Sequence, residues 1–230
     1  VRNLGIAAGG TVMEDCRVLE ACREGKYTSV LVQTHDKKYV EYRTEHFVNA
    51  LGSGAGKLCD SMGIDAGLYP VRHQAFITRR LPMLGKHGTN LDMLIDRQDY
   101  KGFSAVYGQQ IAYTGQIIGC ASPKLDAMRI DKNLKVNTKA FLEIVSEMFS
   151  EWIPDLAGVG IQAVWAGYYT EPRYIVDPEL GLFVGMRGHG FMLSQYIARM
   201  YVDKLLGRPV PEYFEKLKLN GPGLSEKAFK

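Results

Sequence analysis

Hydrophobic and polar positions follow several rhythms along this chain, and each predicts a different element. Near the amino end, Cys16–Ala21 and Tyr27–Thr34 are apolar or β-branched runs separated by Arg23-Glu24-Gly25-Lys26, the pattern of a hairpin, and Tyr39–Arg43 predicts a third short strand. Ahead of them, Leu4-Gly5-Ile6 reads as the end of a helix entering a strand. His46–Ala50 predicts a buried strand that ends in the glycines at 52, 54 and 56, and Gly56–Met62 then reads as a helix. From Ala66 to Gly160 the pattern becomes β-rich: Pro70–Thr78, Asp92–Asp96, Gly102–Tyr107, Gln110–Thr114 and Gln116–Gly119 are short runs parted by turn residues, which predicts an antiparallel sheet. Asn137 or Thr138 then caps an amphipathic helix whose apolar face is Phe141, Leu142, Val145, Met148, Phe149 and Trp152, with Pro154 ending it. Val164–Tyr169 is a further strand. Gly181–Gly185 reads as a short buried strand leading through Gly188 and Gly190 into a last helix, with Phe191, Gln195, Ala198, Val202 and Leu205 at helical spacing until Gly207 and Pro209.

Composition narrows the class without naming a chemistry. The 230 residues are 46% hydrophobic and 23% charged, with mean hydropathy −0.13, which is ordinary for a globular protein able to bury a sizeable core. The net charge of +3 is dispersed, and Lys37-Lys38 and Arg79-Arg80 are too short to form a nucleic-acid surface. No apolar run approaches the ~18 residues of a membrane span, and no signal peptide opens the chain, so the expectation is a cytoplasmic protein. Cys16, Cys22, Cys59 and Cys120 lack C-x-x-C spacing and neighbouring histidines, which fits reduced packing cysteines rather than disulfides or zinc ligands.

The junction at 181–199 is where chemistry concentrates. A strand, a glycine turn and a helix start aim unpaired backbone N–H groups and the positive end of a helix dipole at one spot, and the glycines let a ligand approach the backbone; an ordinary strand-to-helix turn has the same spelling. His189 sits between Gly188 and Gly190, either as a functional side chain or as a histidine capping its own turn. The other glycine cluster is no phosphate loop, because Leu58 follows Gly56-Lys57 where Ser or Thr belongs and Leu51 stands where the first glycine belongs. It is no dinucleotide fingerprint either, since glycines at 52, 54 and 56 miss the G-x-G-x-x-G spacing. Ser-His-Asp order, carboxylates paired at helical spacing and metal-ligand clusters are all lacking.

Gly188-His189-Gly190-Phe191-Met192-Leu193, following the LFV strand, resembles the carboxy-terminal flavin-contacting segment of the D-amino-acid oxidase superfamily, the FAD-dependent amine and amino-acid oxidoreductases that include sarcosine oxidase, glycine oxidase and the dye-linked proline dehydrogenases. Other landmarks follow in the family's order: Val48-Asn49-Ala50-Leu51-Gly52 with Gly54-Ala55-Gly56, then Pro70-Val71-Arg72-His73-Gln74, then Trp165-Ala166-Gly167-Tyr168. The resemblance covers nearly the whole chain but roughly the second half of a family member.

It implies a mixed α/β fold: part of an FAD-binding Rossmann-like domain, at 1–65 and 165–230, interrupted by an antiparallel-sheet substrate domain at 66–164. It implies FAD as cofactor, with Asn49, Gly52, Arg187, Gly188, His189, Gly190, Phe191 and Met192 near it, and His189, Tyr107, Tyr168 and Arg173 as catalytic-site residues, Arg173 as anion partner for a substrate carboxylate. Arg72, His73 and Gln74 read as structural hydrogen-bonding residues at the entry to the sheet, with His73 on the face opposite the other two; Tyr107 and Tyr113 face either the substrate or ordinary half-buried packing. The implied reaction is oxidation of the C–N bond of a small amine or amino acid such as sarcosine, proline or glycine by hydride transfer to flavin. Sarcosine-oxidase-like members often carry a lysine where this chain has Met192, which favours a dehydrogenase passing electrons to an acceptor other than oxygen. The G-x-G-x-x-G that grips the adenosine diphosphate portion of FAD occurs nowhere in these residues. The isolated chain is therefore expected to be inactive, as a fragment or with a second polypeptide supplying that half; the alternative is a non-catalytic subunit or interaction domain without its own FAD site.

Overall fold

The computed structural model describes residues 1–85, 90–96, 103–111, 114–123, 138–154 and 157–223. The chain divides into two compact units, Val1–Leu68 with Pro172–Lys230, and Tyr69–Glu171. The first is thus discontinuous in sequence. Its second portion begins after Glu171 rather than at 165, because β8 (Ile161–Glu171) pairs with β4 (Tyr69–Thr78) from Tyr69↔Glu171 to Thr78↔Ile161 and so carries Trp165-Ala166-Gly167-Tyr168 into the other unit.

In the discontinuous unit, helix α1 (Arg2–Ala7) is exposed throughout and leads to no strand until β1 (Arg17–Glu24), so the expected helix-to-strand entry is replaced by an extended approach. β1, β2 (Tyr27–Gln33) and β3 (Tyr39–Thr44) form an antiparallel sheet in chain order, and Gly25 makes the first turn at φ +63°. Ala21, Val30 and Val32 bury against Leu58 of α2 (Ala55–Ser61). The Ser61 hydroxyl both accepts from the Ala21 N–H (3.1 Å) and donates to its carbonyl (3.3 Å), fastening helix to sheet. The expected strand at His46–Ala50 does not form: Asn49 alone makes a parallel bridge, to Leu182, while Val48 is exposed. The segment finds a partner for one residue and then turns at Gly52.

β9 (Ile175–Asp177) and β10 (Leu182–Val184) form a two-stranded antiparallel pair, and α4 (Gly190–Leu205) closes the unit. The helix buries Ile197, Met200 and Tyr201 against Val176, Phe214 and Leu217. Phe191, Gln195, Ala198, Val202 and Leu205, the residues read at helical spacing, lie on the exposed side. Both sets obey helical spacing, and packing against β9 and Phe214 selects Ile197, Met200 and Tyr201.

The continuous unit is a five-stranded antiparallel sheet, ordered β5 (Leu94–Asp96), β6 (Phe103–Ile111), β7 (Gln116–Pro123), β4, β8. Helix α3 (Thr138–Trp152) covers one face: Phe141, Ile144, Val145, Met148 and Phe149 bury against Phe76, Val106, Ile117 and Ala121. Ile144 joins the predicted face, while Leu142 and Trp152 stay half-buried. The two runs expected around Gly108 are one strand, β6, and β7 continues past Gly119. Neither glycine is a turn. A Cβ on Gly108 would lie 2.6 Å from Cζ of Phe149, and one on Gly119 would lie 2.5 Å from the Phe76 ring and from the Tyr107 carbonyl oxygen. Their bare backbones make room for the two phenylalanines, which meet edge-on at 5.3 Å. Tyr113 lies outside the described residues.

Gly119→Ala should therefore overpack the sheet against Phe76 and cost about 1–3 kcal/mol. Met148→Ala, by leaving a cavity, should cost about 2–5 kcal/mol. Urea unfolding followed through Trp152 on α3 reads both; unchanged midpoints would contradict this packing.

Candidate functional site

With α3 on one face, the other face of the five-stranded sheet carries what the alternation leaves. Cross-strand register aligns Tyr107 of β6, Cys120 of β7, Ala75 of β4 and Trp165 of β8 on one row, since Tyr107 pairs with Cys120, Cys120 with Ala75 and Ala75 with Trp165. His73 and Gly167 form the next row, with Tyr169 beyond. These side chains, with Tyr168 and Met93, wall a cavity of about 280 Å³. That lies near the lower end of small-molecule sites, ~300–1,000 Å³, and so suits a small ligand.

The polar atoms of this cavity are linked. The Tyr107 hydroxyl interacts electrostatically with the Cys120 thiol and the Tyr169 hydroxyl, and the His73 ring stacks on Tyr169 with centroids 3.8 Å apart at 28°. Burial pushes Tyr107 well above the ordinary phenol range, with Cys120 and Tyr169 adding to it; burial likewise raises Cys120 and Tyr169. All three stay protonated at neutral pH and act as uncharged hydrogen-bonding groups rather than as bases. Tyr107 and Tyr168 both line this cavity, alongside His73, Cys120, Trp165 and Tyr169, which the sequence analysis did not list among the site residues. Strand parity already put His73 opposite Arg72 and Gln74; what was missing was the register that carries Cys120 and Trp165 to the same face.

The discontinuous unit presents the glycine turn. Arg187–His189 form one 3₁₀ turn, entered through Arg187 at φ +48°, and α4 starts at Gly190 with no side-chain cap on its first N–H groups. Gly188, His189, Phe191 and Met192 are exposed there, Phe191 at 97%. An uncapped 16-residue helix start flanked by Arg187 and His189 offers donors and positive potential to an anionic or polar group, so these residues fit a flavin dinucleotide. Gly190 is also demanded internally, because a Cβ there would sit 2.6 Å from Cβ of Met186. Gly52 holds φ +55° over open space, which leaves its backbone approachable.

Two expected site residues have other work. Asn49 is fully buried: its amide nitrogen donates to the Ala55 carbonyl (3.0 Å) and to Sγ of Cys59 (3.5 Å), and its amide oxygen accepts from the Leu51 N–H (3.3 Å). Its backbone donates to Gly181 O (2.7 Å) and accepts from Phe183 N (3.0 Å), so it ties β10 to the turn before α2. Arg173 donates through Nη1 to the Gly221 carbonyl (2.7 Å) and through Nη2 to the Leu219 carbonyl. A guanidinium committed to backbone carbonyls of its own chain is an anchor rather than a carboxylate partner. Among the described residues no group of His, Cys, Asp and Glu has the arrangement of a metal site.

Raised pKa values have a definite sign in stability. Above the ordinary thiol and phenol values, about 8.5 and 10, the unfolded chain releases protons that Cys59, Cys120, Tyr107 and Tyr169 retain when folded, so the unfolded state binds fewer protons and stability falls as pH rises. Tyr201, raised to about 12 by burial beside Asp177, adds to the same slope. Denaturation midpoints measured from pH 7 to 11 should decline from about pH 9, and Tyr107→Phe should flatten the upper part; a flat wild-type profile would contradict the protonated cluster.

Comparison with known proteins gives the arrangement a context. The sequence profile of the family described as FAD dependent oxidoreductase matches residues 2–204. No curated protein sequence matches the chain. Among solved structures, L-proline dehydrogenase from P. horikoshii superposes with TM-score 0.70 at 25% identity, over 93% of this chain and 55% of its own. Glycine oxidase from Geobacillus kaustophilus follows at 0.71 and 18%, over 94% and 54%, and iminodiacetate oxidase from Chelativorans sp. BNC1 at 0.67 and 15%, over 96% and 57%. The chain thus spans little more than half the length of these proteins, and the latter two show shared fold alone. The mixed α/β architecture with its antiparallel sheets is theirs, and no helix among the described residues is long and apolar enough to cross a membrane. With a profile match over most of its length, the chain belongs to the FAD dependent oxidoreductase family.

Proposed function

We propose that this chain is the carboxy-terminal part of a cytoplasmic enzyme that oxidises the C–N bond of a small amine or amino acid of the sarcosine, proline or glycine kind, and that passes the electrons to an acceptor other than oxygen. The observation that carries the reading is the uncapped start of α4, an open cluster of N–H donors with exposed Phe191 and Met192 in a chain of an FAD-dependent family. FAD supplies the hydride acceptor when bound. The backbone of Gly188, Gly190, Phe191 and Met192, with Arg187 and His189 beside it, holds the cofactor on this side, and Gly52 adds a second approach. The adenosine portion is gripped by residues outside these 230, in a longer chain or a second polypeptide.

The cavity of the sheet receives the amine. Its phenols at Tyr107, Tyr168 and Tyr169 and the imidazole of His73 orient the substrate by hydrogen bonding and stacking, and the protonated state of Tyr107 and Tyr169 excludes them as general bases. Hydride removal needs a neutral amine held in place, so a cavity of uncharged donors and rings is suited to it. Met192 places no positive charge at the turn, which supports electron transfer to an acceptor other than oxygen.

The complete flavoprotein tests the reading directly. It should show flavin absorbance near ~450 nm that small secondary amines bleach in the absence of oxygen; no flavin band, even after FAD is added, would sink it. Gly190→Val is a poor probe because it collides with Met186. Phe191→Asp touches nothing in the fold, so the melting temperature should shift by no more than ~0.5 kcal/mol implies, while FAD dissociates about tenfold more readily, the factor given by ~1.4 kcal/mol of lost interaction. Undiminished FAD affinity in that variant would remove the turn from the cofactor. Met192→Lys should speed reoxidation by oxygen about tenfold or more, as ~1.4 kcal/mol of added charge stabilisation gives; stopped-flow traces identical to wild type would refute the assignment of Met192.

A further inference from the structure

The family profile stops at residue 204, and the chain beyond it, residues 207–223, forms a strap that returns beneath the glycine turn. Gly207 reverses the chain at φ +68° after α4, and a 3₁₀ turn (Glu212–Leu217) buries Phe214 and Leu217 against Val176, Ile197, Met200 and Tyr201. The strap's far end folds on itself, the Gly223 N–H donating to the Lys216 carbonyl (2.9 Å). Three kinds of contact fasten it to the unit. The Leu219 N–H donates to Oδ2 of Asp177 (3.4 Å). Lys218 bridges Glu179 (2.8 Å) and Glu215 (3.1 Å), and Lys204 of α4 meets Glu215 at 2.7 Å. The half-buried Arg173 guanidinium donates to the Leu219 and Gly221 carbonyls. Exposed ion pairs contribute little singly, so the guanidinium and the two apolar anchors carry most of the attachment.

Two of these attachments lead directly into the turn. Arg173 gives its side chain to the strap and its backbone to the turn: Gly185, at φ +70°, lies so near that a Cβ on it would overlap the Arg173 carbonyl oxygen. Met186 comes next, and it packs on the cluster that Phe214 and Leu217 build together with Val210. Met186 in turn sits under the start of α4, where a Cβ on Gly190 would lie 2.6 Å from its own Cβ. Strap, Arg173, Met186 and Gly190 are thus in unbroken contact.

We propose that the strap presets the geometry of the cofactor turn, with Arg173 as the positioning residue between them. This rests on the turn as the cofactor's seat and adds to it a segment outside the family profile. Backbone donors already held in place bind without first being ordered, whereas a turn released from the strap is ordered anew by each cofactor that arrives, and affinity falls accordingly.

Hydrogen exchange followed by mass spectrometry in the 230-residue chain itself reads the turn with no flavin present. Arg173→Gln keeps the backbone carbonyl but loses the charge-assisted donors. Peptides over 212–221 and over 185–193 should then exchange together about tenfold faster, with those of β4 and α3 unchanged. Arg173→Lys, which keeps the charge but not the paired donors, should fall between, and Lys204→Met, which cuts only an exposed ion pair, should move neither peptide. In the complete flavoprotein, FAD should dissociate about tenfold more readily from Arg173→Gln, the reduction potential of the bound flavin should shift, and Arg173→Lys should restore part of both. A strap that loosens while 185–193 exchanges as in wild type would overturn the proposal. So would a loosened turn with FAD affinity and potential unchanged. Should Arg173→Gln lose its circular-dichroism spectrum, Arg173→Lys decides by the same comparison. The Phe191→Asp variant separates this proposal from the reading beneath it: weaker FAD binding there but not in Arg173→Gln defeats the strap alone, whereas undiminished binding in both removes the turn from the cofactor.

Discussion

A β-sheet has two faces, and among the described residues one helix covers the five-stranded sheet of this chain. Everything in the continuous unit follows from how that imbalance is resolved. The face under α3 takes the large apolar side chains, Phe76, Val106 and Ile117, and makes space for Phe149 and Phe76 by leaving Gly108 and Gly119 bare. The opposite face holds side chains that tolerate an open, half-wet surface: phenols, a thiol, an imidazole and an indole. Because successive residues alternate between faces, a one-residue slip of β4 would exchange Phe76 for Ala75 and His73 for Gln74, emptying the core and the cavity together. Core and site are therefore specified by one register.

The discontinuous unit has no comparable sheet. Its two-stranded piece is too small to stand alone in water, and buried polar side chains join it to the three-stranded sheet and α2. Asn49 spends every amide atom on neighbouring segments, Ser61 both gives and takes a hydrogen bond with Ala21, and Arg173 holds the carbonyls of Leu219 and Gly221. Buried groups satisfied in this way cost little and fix geometry. Gly185 extends the same scheme, since any Cβ there would run into the Arg173 carbonyl. The approach to the glycine turn is thereby set from beneath by backbone contact, while the turn's outer side stays open.

Much of this was legible in the chain. Alternation found the hairpin, β4 and the sheet; 3.6-residue periodicity found α3 and most of its buried face; and the glycine turn before α4 was readable as strand, turn and helix start. The misreadings share a cause. Gly108 and Gly119 spell turns locally but serve partners distant in sequence, α4 carries two sets of residues at helical spacing, and Asn49 and Arg173 look like ligand-facing polar residues until their long-range partners are known. His73 was on the correct side of β4, yet only the pairing of β4 with β7 and β8 could bring Cys120 and Trp165 beside it. Local pattern carries element type, whereas the choice of face depends on contacts between residues dozens of positions apart.

The discontinuity of the first unit sets an order of events on the ribosome. After Leu68 emerges, the three amino-terminal strands and the Asn49 turn wait for β9 and β10, while the whole of Tyr69–Glu171 is made. At ~5–20 residues per second that interval lasts on the order of 5–20 s, ample for the intervening sheet to fold first, since small domains fold in seconds or less. Throughout it, Asn49 lacks Gly181 and Phe183, and Ile175, Leu182 and Val184 are not yet available to cover Ala55 and Cys59. Of these 230 residues, Val1–Leu68 is the segment that waits longest with its apolar surface unpaired. Folding helpers that bind such surface, and slow translation that prolongs its exposure, would act on this protein through that segment.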